Sequence, residues 1–226
     1  MTVTDVNVVK SAIFERPDDA NKGTLGSLLC VCGSYGMAGA AVMSAKGALR
    51  TGIGLAKCAL PRSIYPIVAQ TILESVYYPL SENADGRISK VNVPFLVSES
   101  CKSSATLVGC GLGVCDDTLK IVFSLIENST TPLVLDADAL NCVAKQPEIL
   151  LRKKAPIIIT PHPGEMSRLT GLATPLVNAE RERVALDFAQ KYGVVTVLKG
   201  AGTVIASPNG CLLYTSPSPR DGATSR

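Results

Sequence analysis

Short apolar segments alternate with segments of helical character along most of the chain. The apolar segments predict strands at residues 26–33, 53–60, 105–109, 132–136, 156–160 and 194–198. The segments between them predict helices at residues 38–51, 117–128, 139–145, 164–169 and 178–192. Strands that alternate with helices are typical of a mostly parallel sheet covered by helices, because parallel strands need crossover connections. The pattern therefore predicts an α/β fold.

The end of the chain departs from this alternation. Residues 203–206 and 211–214 flank Pro208-Asn209-Gly210, which predicts a hairpin and so an antiparallel edge on the sheet. Residues 215–226, TSPSPRDGATSR, hold no apolar side chain larger than alanine and cannot join a core. This segment is either a disordered native tail or translated vector sequence, and we favour the second interpretation. One domain is accordingly predicted over residues 1–214.

Composition and charge exclude several classes of protein. The 226 residues, 46% hydrophobic and 18% charged, suffice for one sizeable domain with a buried core. The net charge of +3 is small, and no cluster of Lys and Arg with aromatic residues indicates nucleic-acid binding. No secretory signal is evident, and glycines interrupt the uncharged stretch 23–45, so no membrane span is predicted. The eight cysteines form no CxxC pair and are predicted to be buried, reduced thiols of a cytoplasmic protein.

Two glycine-rich segments follow predicted strands. Residues 33–41, GSYGMAGAA, open a helix, where backbone N–H groups and the positive helix end favour an anion or phosphate. Residues 109–113, GCGLG, let a ligand approach the carboxyl ends of the strands. Close packing of a helix on the sheet also explains the first segment, and an ordinary flexible loop explains the second. Neither segment has the Rossmann or Walker spacing.

Polar side chains follow two later strands. Asp136 ends the strand 132–136, where a carboxylate suits magnesium or a phosphate-bound metal, whereas Asp138 can simply cap the next helix. His162, the only histidine, lies between two prolines at a strand-to-helix turn and is interpreted as a ligand contact. Glu165 begins the following helix, a position that stabilises a carboxylate without any ligand.

The segment Lys199-Gly200-Ala201-Gly202-Thr203 follows the last buried strand, at residues 194–198. A lysine and backbone amides in this place can bind a nucleotide phosphate. A glycine-containing hairpin with a solvated lysine is the alternative interpretation. No single one of these segments decides the function.

In chain order, the segments resemble the NAD(P)H-hydrate dehydratase family. The resemblance covers about residues 10–213 and rests on GSYGMAGAAVMSAKGALRTGIGLAKCALP, VGCGLG, LVLDADALN, IITPHPGEMSRLTG and VVTVLKGAGTVIASPNG. It implies a three-layer, ribokinase-like fold and a lyase that repairs hydrated NADH or NADPH using ADP or ATP, with Mg²⁺. The nucleotide would phosphorylate the ring hydroxyl, and phosphate would leave as the double bond re-forms. A functional partnership with an NAD(P)H-hydrate epimerase and a homo-oligomeric state are also implied.

The resemblance assigns roles to individual positions. The hydrated dinucleotide is expected to contact Gly39, Ala40, Ala41, Gly111, Gly113 and His162. The nucleotide phosphates are expected at Lys199, Gly200, Ala201, Gly202 and Thr203. Magnesium or ordered water is expected at Asp136 and Glu165.

The resemblance ends with the hairpin. The family continues into a GxGD segment, whose backbone holds the transferred phosphoryl group and whose aspartate is the base on the substrate hydroxyl. Here Tyr214 is followed by residues 215–226, in which Asp221-Gly222 has the wrong order and context. The catalytic aspartate is therefore expected to be absent. A catalytic base contributes on the order of 10²–10⁴-fold, so the 226-residue chain is expected to be nearly inactive.

Two alternative functions stay open. Another ribokinase-like kinase would phosphorylate a small alcohol with ATP and release a stable phosphorylated product. A catalytically dead nucleotide-binding protein would bind its ligand without turnover if this C-terminus is native. Turnover of hydrated NADH or NADPH separates both alternatives from the dehydratase.

Overall fold

The structure, a computed structural model, describes residues 23–214. These residues form two compact units, which are an N-terminal unit of residues 23–157 and a C-terminal unit of residues 158–214. Residues 215–226, predicted to be a foreign or disordered tail, lie outside the described residues. The domain bounds of 1–214 therefore stay a prediction. Over residues 23–214, no helix is long and apolar enough to cross a membrane.

The N-terminal unit alternates strands and helices, as the apolar pattern predicts. Its strands are β1 (Ser27–Val31), β2 (Leu55–Pro61), β3 (Val76–Leu80), β4 (Ala105–Val108) and β5 (Leu133–Leu135). Its helices are α1 (Ala38–Arg50), α2 (Tyr65–Thr71), α3 (Val93–Cys101), α4 (Asp116–Asn128) and α5 (Asp138–Val143), with 3₁₀ turns at Lys90–Asn92 and Pro147–Arg152. The strand order is β3-β2-β1-β4-β5, and all of these neighbours pair in parallel.

The register of this sheet brings three strand ends to one level. Val31, the last residue of β1, pairs with Val108, the last residue of β4. Val108 in turn pairs with Leu135, the last residue of β5. The three segments that follow these strands therefore leave the sheet side by side, at the edge where open α/β sheets bind ligands.

The core of the N-terminal unit combines apolar strands with small helix residues. Leu29 and Val31 are fully buried, as expected for a parallel sheet covered on both faces. Ala41 and Ala45 of α1 are also buried, and their small side chains let the helix lie close to the sheet. Ala41 and Ala45 belong to one buried cluster with Cys30, Cys32, Cys58, Leu60, Ile64, Val68 and Ile72.

The seven cysteines whose side chains the structure describes are free thiols, but they are not all buried. Desolvation raises the pKa of Cys58 above its ordinary value and that of Cys142 to about 11. Cys101, by contrast, is exposed at the end of α3, and Cys110 and Cys115 are half-buried. The prediction of buried thiols is thus correct for the core strands and α5, and wrong for Cys101.

Three elements of the N-terminal unit, α2, β3 and α3, were not predicted from the sequence. Each contains a proline, which ordinarily interrupts helices and strands. Pro66 and Pro94 lie in the first turns of α2 and α3. N–H groups in a first turn have no partner within the helix, so the N–H that proline lacks costs no hydrogen bond there. Pro79 lies in β3, an edge strand that needs partners on one side only.

The C-terminal unit begins within β6 (Ile157–Ile159) and ends in the predicted hairpin. It contains α6 (Pro163–Thr170), α7 (Thr174–Ala179), α8 (Arg181–Tyr192), β7 (Val195–Leu198), β8 (Thr203–Ser207) and β9 (Gly210–Tyr214). β6 and β7 pair in parallel, whereas β7–β8 and β8–β9 pair antiparallel. The helix predicted over residues 178–192 is divided at Glu180. The mostly parallel α/β fold with a late antiparallel hairpin is confirmed.

A buried ion pair joins β2 to α3. Lys57 Nζ lies 2.6 Å from Glu99 Oε1, and both residues are less than 10% exposed. Tyr78 Oη donates to the same carboxylate oxygen at 3.2 Å. The hydrogen bond from Lys57 holds the pKa of Glu99 below its ordinary value of 4.5. The carboxylate therefore contributes stability above about pH 4.5, and this contribution is lost as the pH falls through the lowered pKa.

We expect Glu99→Leu to lower the free energy of unfolding by about 3–5 kcal/mol at pH 7, because it leaves the Lys57 ammonium buried without a counter-charge. The double variant Lys57→Met/Glu99→Leu is expected to lose much less free energy of unfolding, because neither buried charge remains. Urea unfolding of the three proteins at pH 7 and pH 3 measures both effects. Equal losses in the single and double variants, or a wild-type advantage over Glu99→Leu that grows as the pH falls below 4.5, would contradict the prediction.

Candidate functional site

Two strand-end loops of the N-terminal unit are joined by hydrogen bonds. The loop after β1 donates to the loop after β4 twice, from Gly33 N–H to the Cys110 carbonyl and from Ser34 Oγ to the Gly111 carbonyl, each at 2.8 Å. Both loops were predicted to bind the dinucleotide. The structure brings them together because β1 and β4 end at the same level.

The glycines of these segments differ in whether the structure leaves room for a side chain. Gly109 has φ +127°, and a Cβ there would lie 1.8 Å from the Asp136 carbonyl oxygen. A Cβ on Gly111 would lie 2.7 Å from the Ala40 methyl group. Close packing therefore explains Gly109 and Gly111 without any ligand. Gly39 differs, since it is exposed and a Cβ there would meet nothing within 4 Å.

The start of α1 carries no side chain that compensates its positive end. The N-cap residue is Met37, which makes no side-chain cap hydrogen bond, and the first turn contains no acidic residue. Gly39 and Ala40 are at least partly accessible here, whereas Ala41 is buried and can offer a ligand little of its side chain. An uncapped helix start beside open space is suited to a phosphate or another anion.

Asp136 and Asp138, which follow β5, accept hydrogen bonds from the loop after β4. Asp138 Oδ2 accepts a hydrogen bond from Gly113 N–H at 2.8 Å. The suggestion that Asp138 caps the next helix is therefore wrong, because the N-cap of α5 is Ala137 and has no side-chain cap hydrogen bond. Asp136 Oδ2 accepts from the Cys110 thiol at 3.5 Å. The Cys32 thiol hydrogen-bonds Cys110 and lowers the pKa of Cys110.

His162 and Glu165 form a reciprocal capping box at the start of α6. The N–H groups of Gly164 and Glu165 donate to His162 Nδ1 at 3.0 and 3.3 Å, and His162 N–H donates to Glu165 Oε2 at 2.8 Å. The network places the proton of a neutral His162 ring on Nε2, which faces Glu165 Oε1 at 3.4 Å. The His162 side chain is 51% exposed and that of Glu165 only 6%, so the histidine is the member of the pair that a ligand can reach.

The loop after β7 has amide groups without acceptors. Lys199 N–H donates to the Pro161 carbonyl at 2.8 Å, and Lys199 Nζ lies 4.0 Å from Glu165 Oε2. Among the described residues, the N–H groups of Gly200, Ala201 and Gly202 donate to no other group. Successive amide groups in such a turn form an anion-binding concavity. Residues 199–203, named here the lysine loop, therefore have the local geometry that the sequence predicts for a phosphate site.

A cavity of about 730 Å³ opens beside the lysine loop within the C-terminal unit. Ala201 and Gly202 line it from the loop, and Asn178, Arg181 and Glu182 line it from the helical side. Its volume lies in the range of sites for small molecules and cofactors. The cavity could not be foreseen from the sequence, because its helical side comes from residues about twenty positions earlier in the chain.

Two arginines near the predicted loops were missed. Arg87 Nη1 donates to the Val114 carbonyl at 3.3 Å, and a Cβ on Gly113 would lie 2.5 Å from Arg87 Nε. Arg181 Nη2 donates to the carbonyls of Leu198 and Lys199 at 2.9 and 3.0 Å. Both arginines bind backbone carbonyls far along the chain, and no local sequence pattern signals such contacts.

Residues 23–214 contain no group of three His, Cys, Asp or Glu side chains that could hold a metal ion. Asp136 belongs to the N-terminal unit and Glu165 to the C-terminal unit, and both oxygens of Glu165 face His162 donors. Asp136 Oδ2 accepts from the Cys110 thiol at 3.5 Å, so both predicted metal ligands already have hydrogen-bond partners. A metal site here would need oxygen ligands from a bound phosphate or from water.

We expect Gly109→Ala to lower the free energy of unfolding by about 3 kcal/mol or more, because its Cβ would overlap the Asp136 carbonyl and force a positive φ on alanine. Gly47→Ala is the matched control. It lies within α1, where a Cβ meets nothing within 4 Å, and should stabilise the protein by about 0.5–1 kcal/mol. Urea unfolding measures both changes, and similar stabilities of the two variants would contradict the packing argument.

Comparison with known proteins identifies the family to which the chain is similar. A family model described as NAD(P)H-hydrate dehydratase matches residues 28–220. A bifunctional NAD(P)H-hydrate repair enzyme of Thermofilum pendens is 40% identical over 195 residues, which cover 86% of this chain and 37% of that protein. The chain thus spans only about two fifths of the length of such bifunctional relatives.

Solved structures agree with the fold. The ADP/ATP-dependent NAD(P)H-hydrate dehydratase of Bacillus subtilis, co-crystallized with ATP and Mg²⁺, is 29% identical, with a TM-score of 0.77 over 94% of this chain and 72% of that chain. A ribokinase-like superfamily protein of Enterococcus faecalis has a TM-score of 0.80 at 19% identity, over 96% of this chain and 72% of its own. The second similarity bears on the fold alone, which this chain shares with that ribokinase-like protein.

Proposed function

The chain belongs to the NAD(P)H-hydrate dehydratase family, and from this premise we propose that it serves the nucleotide-dependent dehydration of hydrated NADH or NADPH. The observation that carries the proposal is the lysine loop, where three N–H groups with no acceptor among the described residues lie next to a lysine and a cavity of about 730 Å³. Such a loop suits the phosphates of ADP or ATP. The Bacillus subtilis relative with ATP and Mg²⁺ supports nucleotide use.

The hydrated dinucleotide is proposed to bind at the start of α1. NADH and NADPH carry a diphosphate, and the uncapped helix start offers N–H groups and a positive partial charge to it. Gly39 leaves open space there, and Gly111 and Gly113 lie in the adjoining loop. His162, half-exposed at its turn, is proposed as a further substrate contact through its ring.

The proposed chemistry is phosphoryl transfer followed by elimination. The terminal phosphoryl group passes from the nucleotide to the hydroxyl on the hydrated ring, so ADP leaves AMP and ATP leaves ADP. Loss of inorganic phosphate, with a proton from the adjacent ring carbon, then restores the ring double bond. Hydroxide is a poor leaving group and phosphate a good one, which is why the nucleotide is needed. The protein contributes positioning and charge stabilisation.

Magnesium, when bound, would neutralise the nucleotide phosphates. Mg²⁺ commonly takes one or two protein carboxylates, with phosphate oxygens and water completing its coordination. Asp136 and Glu165 are the carboxylates that we propose for this role. The role of Lys199 is to hold the phosphates as a positive charge near the amide groups of Gly200, Ala201 and Gly202.

We further propose a functional partner, a cellular compartment and an oligomeric state for this protein. The name of the Thermofilum relative, a bifunctional repair enzyme, supports a partnership with an epimerase activity. The free cysteines among the described residues support a reducing compartment, which we propose is the cytoplasm. A homo-oligomer is proposed from the family resemblance alone.

A turnover assay tests the proposed function. The 226-residue chain, and the protein encoded when the transcript is re-read beyond the codon for Leu213, are each incubated with hydrated NADPH, Mg²⁺ and either ADP or ATP. We expect a protein that carries a GxGD segment after the hairpin to form NADPH, phosphate and AMP or ADP in equal amounts. We expect the 226-residue chain to form almost none, because it lacks that segment.

The same assay separates the alternatives. A stable phosphorylated product without phosphate release would indicate another kinase. Nucleotide binding without turnover, together with a reading frame that ends in residues 215–226, would favour the non-catalytic protein. Failure of the longer protein to form NADPH with either nucleotide would contradict the dehydratase.

We expect Gly39→Asp to change stability and substrate binding in opposite directions. A carboxylate in the first turn of α1 should raise the free energy of unfolding by about 0.3–1 kcal/mol, because it offsets the positive helix end. The same charge should weaken NADPH binding by about tenfold or more, through repulsion of the diphosphate. Urea unfolding measures the change in stability, and titration calorimetry measures the change in NADPH binding. Gly39→Ala is the control, because it adds a side chain without a charge. Unchanged NADPH affinity would exclude the helix start as the diphosphate site.

A further inference from the structure

Arg181, the first residue of α8, binds the chain at the point where β7 enters the lysine loop. Its Nη2 atom donates to the carbonyl oxygens of Leu198 at 2.9 Å and Lys199 at 3.0 Å. The guanidinium also fills the space beside Gly200, because a Cβ there would lie 2.9 Å from Nη2 and 3.0 Å from Nη1. A side chain at position 200 would therefore collide with the guanidinium of Arg181 in its present position.

These two hydrogen bonds orient the amide groups that follow. In a planar trans peptide, the carbonyl of one residue and the N–H of the next point in opposite directions. Since the Leu198 carbonyl points to Arg181, Lys199 N–H points away from it and reaches the Pro161 carbonyl at 2.8 Å. Since the Lys199 carbonyl also points to Arg181, Gly200 N–H must point away from the guanidinium, where it has no acceptor among the described residues.

Helix stability does not account for an arginine at this position. A positive charge in the first turn of a helix is unfavourable, by about 0.3–1 kcal/mol. Arg183, two residues on, makes an ion pair with Glu180, whereas Arg181 donates to the carbonyls of Leu198 and Lys199. Arg181 also lines the cavity of about 730 Å³ together with Ala201 and Gly202.

We propose that Arg181 is a positioning residue for nucleotide binding, which holds the lysine loop so that its N–H groups face the phosphates. This proposal rests on the proposed function, since it assigns the loop to the nucleotide. Arg181 acts through the loop backbone and also adds positive charge near it. It is therefore expected to govern affinity for ADP and ATP and to leave affinity for the dinucleotide unchanged.

The test compares Arg181→Met, Arg181→Lys and the control Lys191→Met, which removes a positive charge at the other end of α8. Titration calorimetry gives the dissociation constants for ADP and NADPH, and hydrogen–deuterium exchange follows the amides of residues 199–203. We expect Arg181→Met to weaken ADP binding about tenfold or more, to speed exchange in the lysine loop, and to leave NADPH binding within about twofold. Lys191→Met is expected to behave as the unaltered protein.

The lysine variant separates geometry from charge. Arg181→Lys keeps the charge but lacks the planar guanidinium that reaches both carbonyls and fills the space beside Gly200. We expect it to recover only part of the ADP affinity. Full recovery would show that charge alone matters and would overturn the positioning role, as would an unchanged ADP affinity in Arg181→Met. An equal loss of ADP and NADPH binding would also overturn it, because that pattern indicates general structural damage.

The proposed function and this inference fail in different ways. If the unaltered protein is folded, binds NADPH and binds neither ADP nor ATP, the proposed nucleotide site is wrong and the role of Arg181 falls with it. If the unaltered protein binds ADP and Arg181→Met binds it equally well, only the role of Arg181 is wrong.

Discussion

Parallel pairing of β1, β4 and β5 in register is the constraint on which the N-terminal unit depends. Because the three strands end at one level, the segments that follow must share a small space. Gly109 passes so close to the Asp136 carbonyl that no side chain fits, and Asp138 holds Gly113 N–H. Backbone N–H groups and a helix start are the polar groups that suit phosphate binding.

In the C-terminal unit, too, side chains hold backbone segments in place, although different residues do so. The capping box between His162 and Glu165 satisfies the start of α6 and leaves the imidazole half-exposed. Arg181 binds the carbonyls of Leu198 and Lys199, so the Gly200 N–H points away from the guanidinium. An enzyme that catalyses phosphoryl transfer does little covalent chemistry, and the accuracy of such positioning is what it contributes. Backbone held by side chains from neighbouring helices meets that need.

Much of the fold, but less of the site, followed from the sequence. The six apolar segments all contain strands, because burial on both faces makes a parallel strand apolar throughout. The proline-containing elements α2, β3 and α3 were missed, because a first-turn or edge position removes the usual penalty of proline. Arg87 and Arg181 were missed for another reason, since each binds carbonyls 17 or more residues away.

The sequence by itself determined the class of fold, the membership of the family and the five segments to which site roles were assigned. Apolar periodicity and local motifs are properties of neighbouring residues, so they can be read along the chain. Only the tertiary structure decided that Gly109 and Gly111 are required by packing while Gly39 borders open space. That distinction depends on the register of β1, β4 and β5 and on how closely α1 approaches the loop after β4. Distances between elements, unlike periodicity, exist only once the chain has folded.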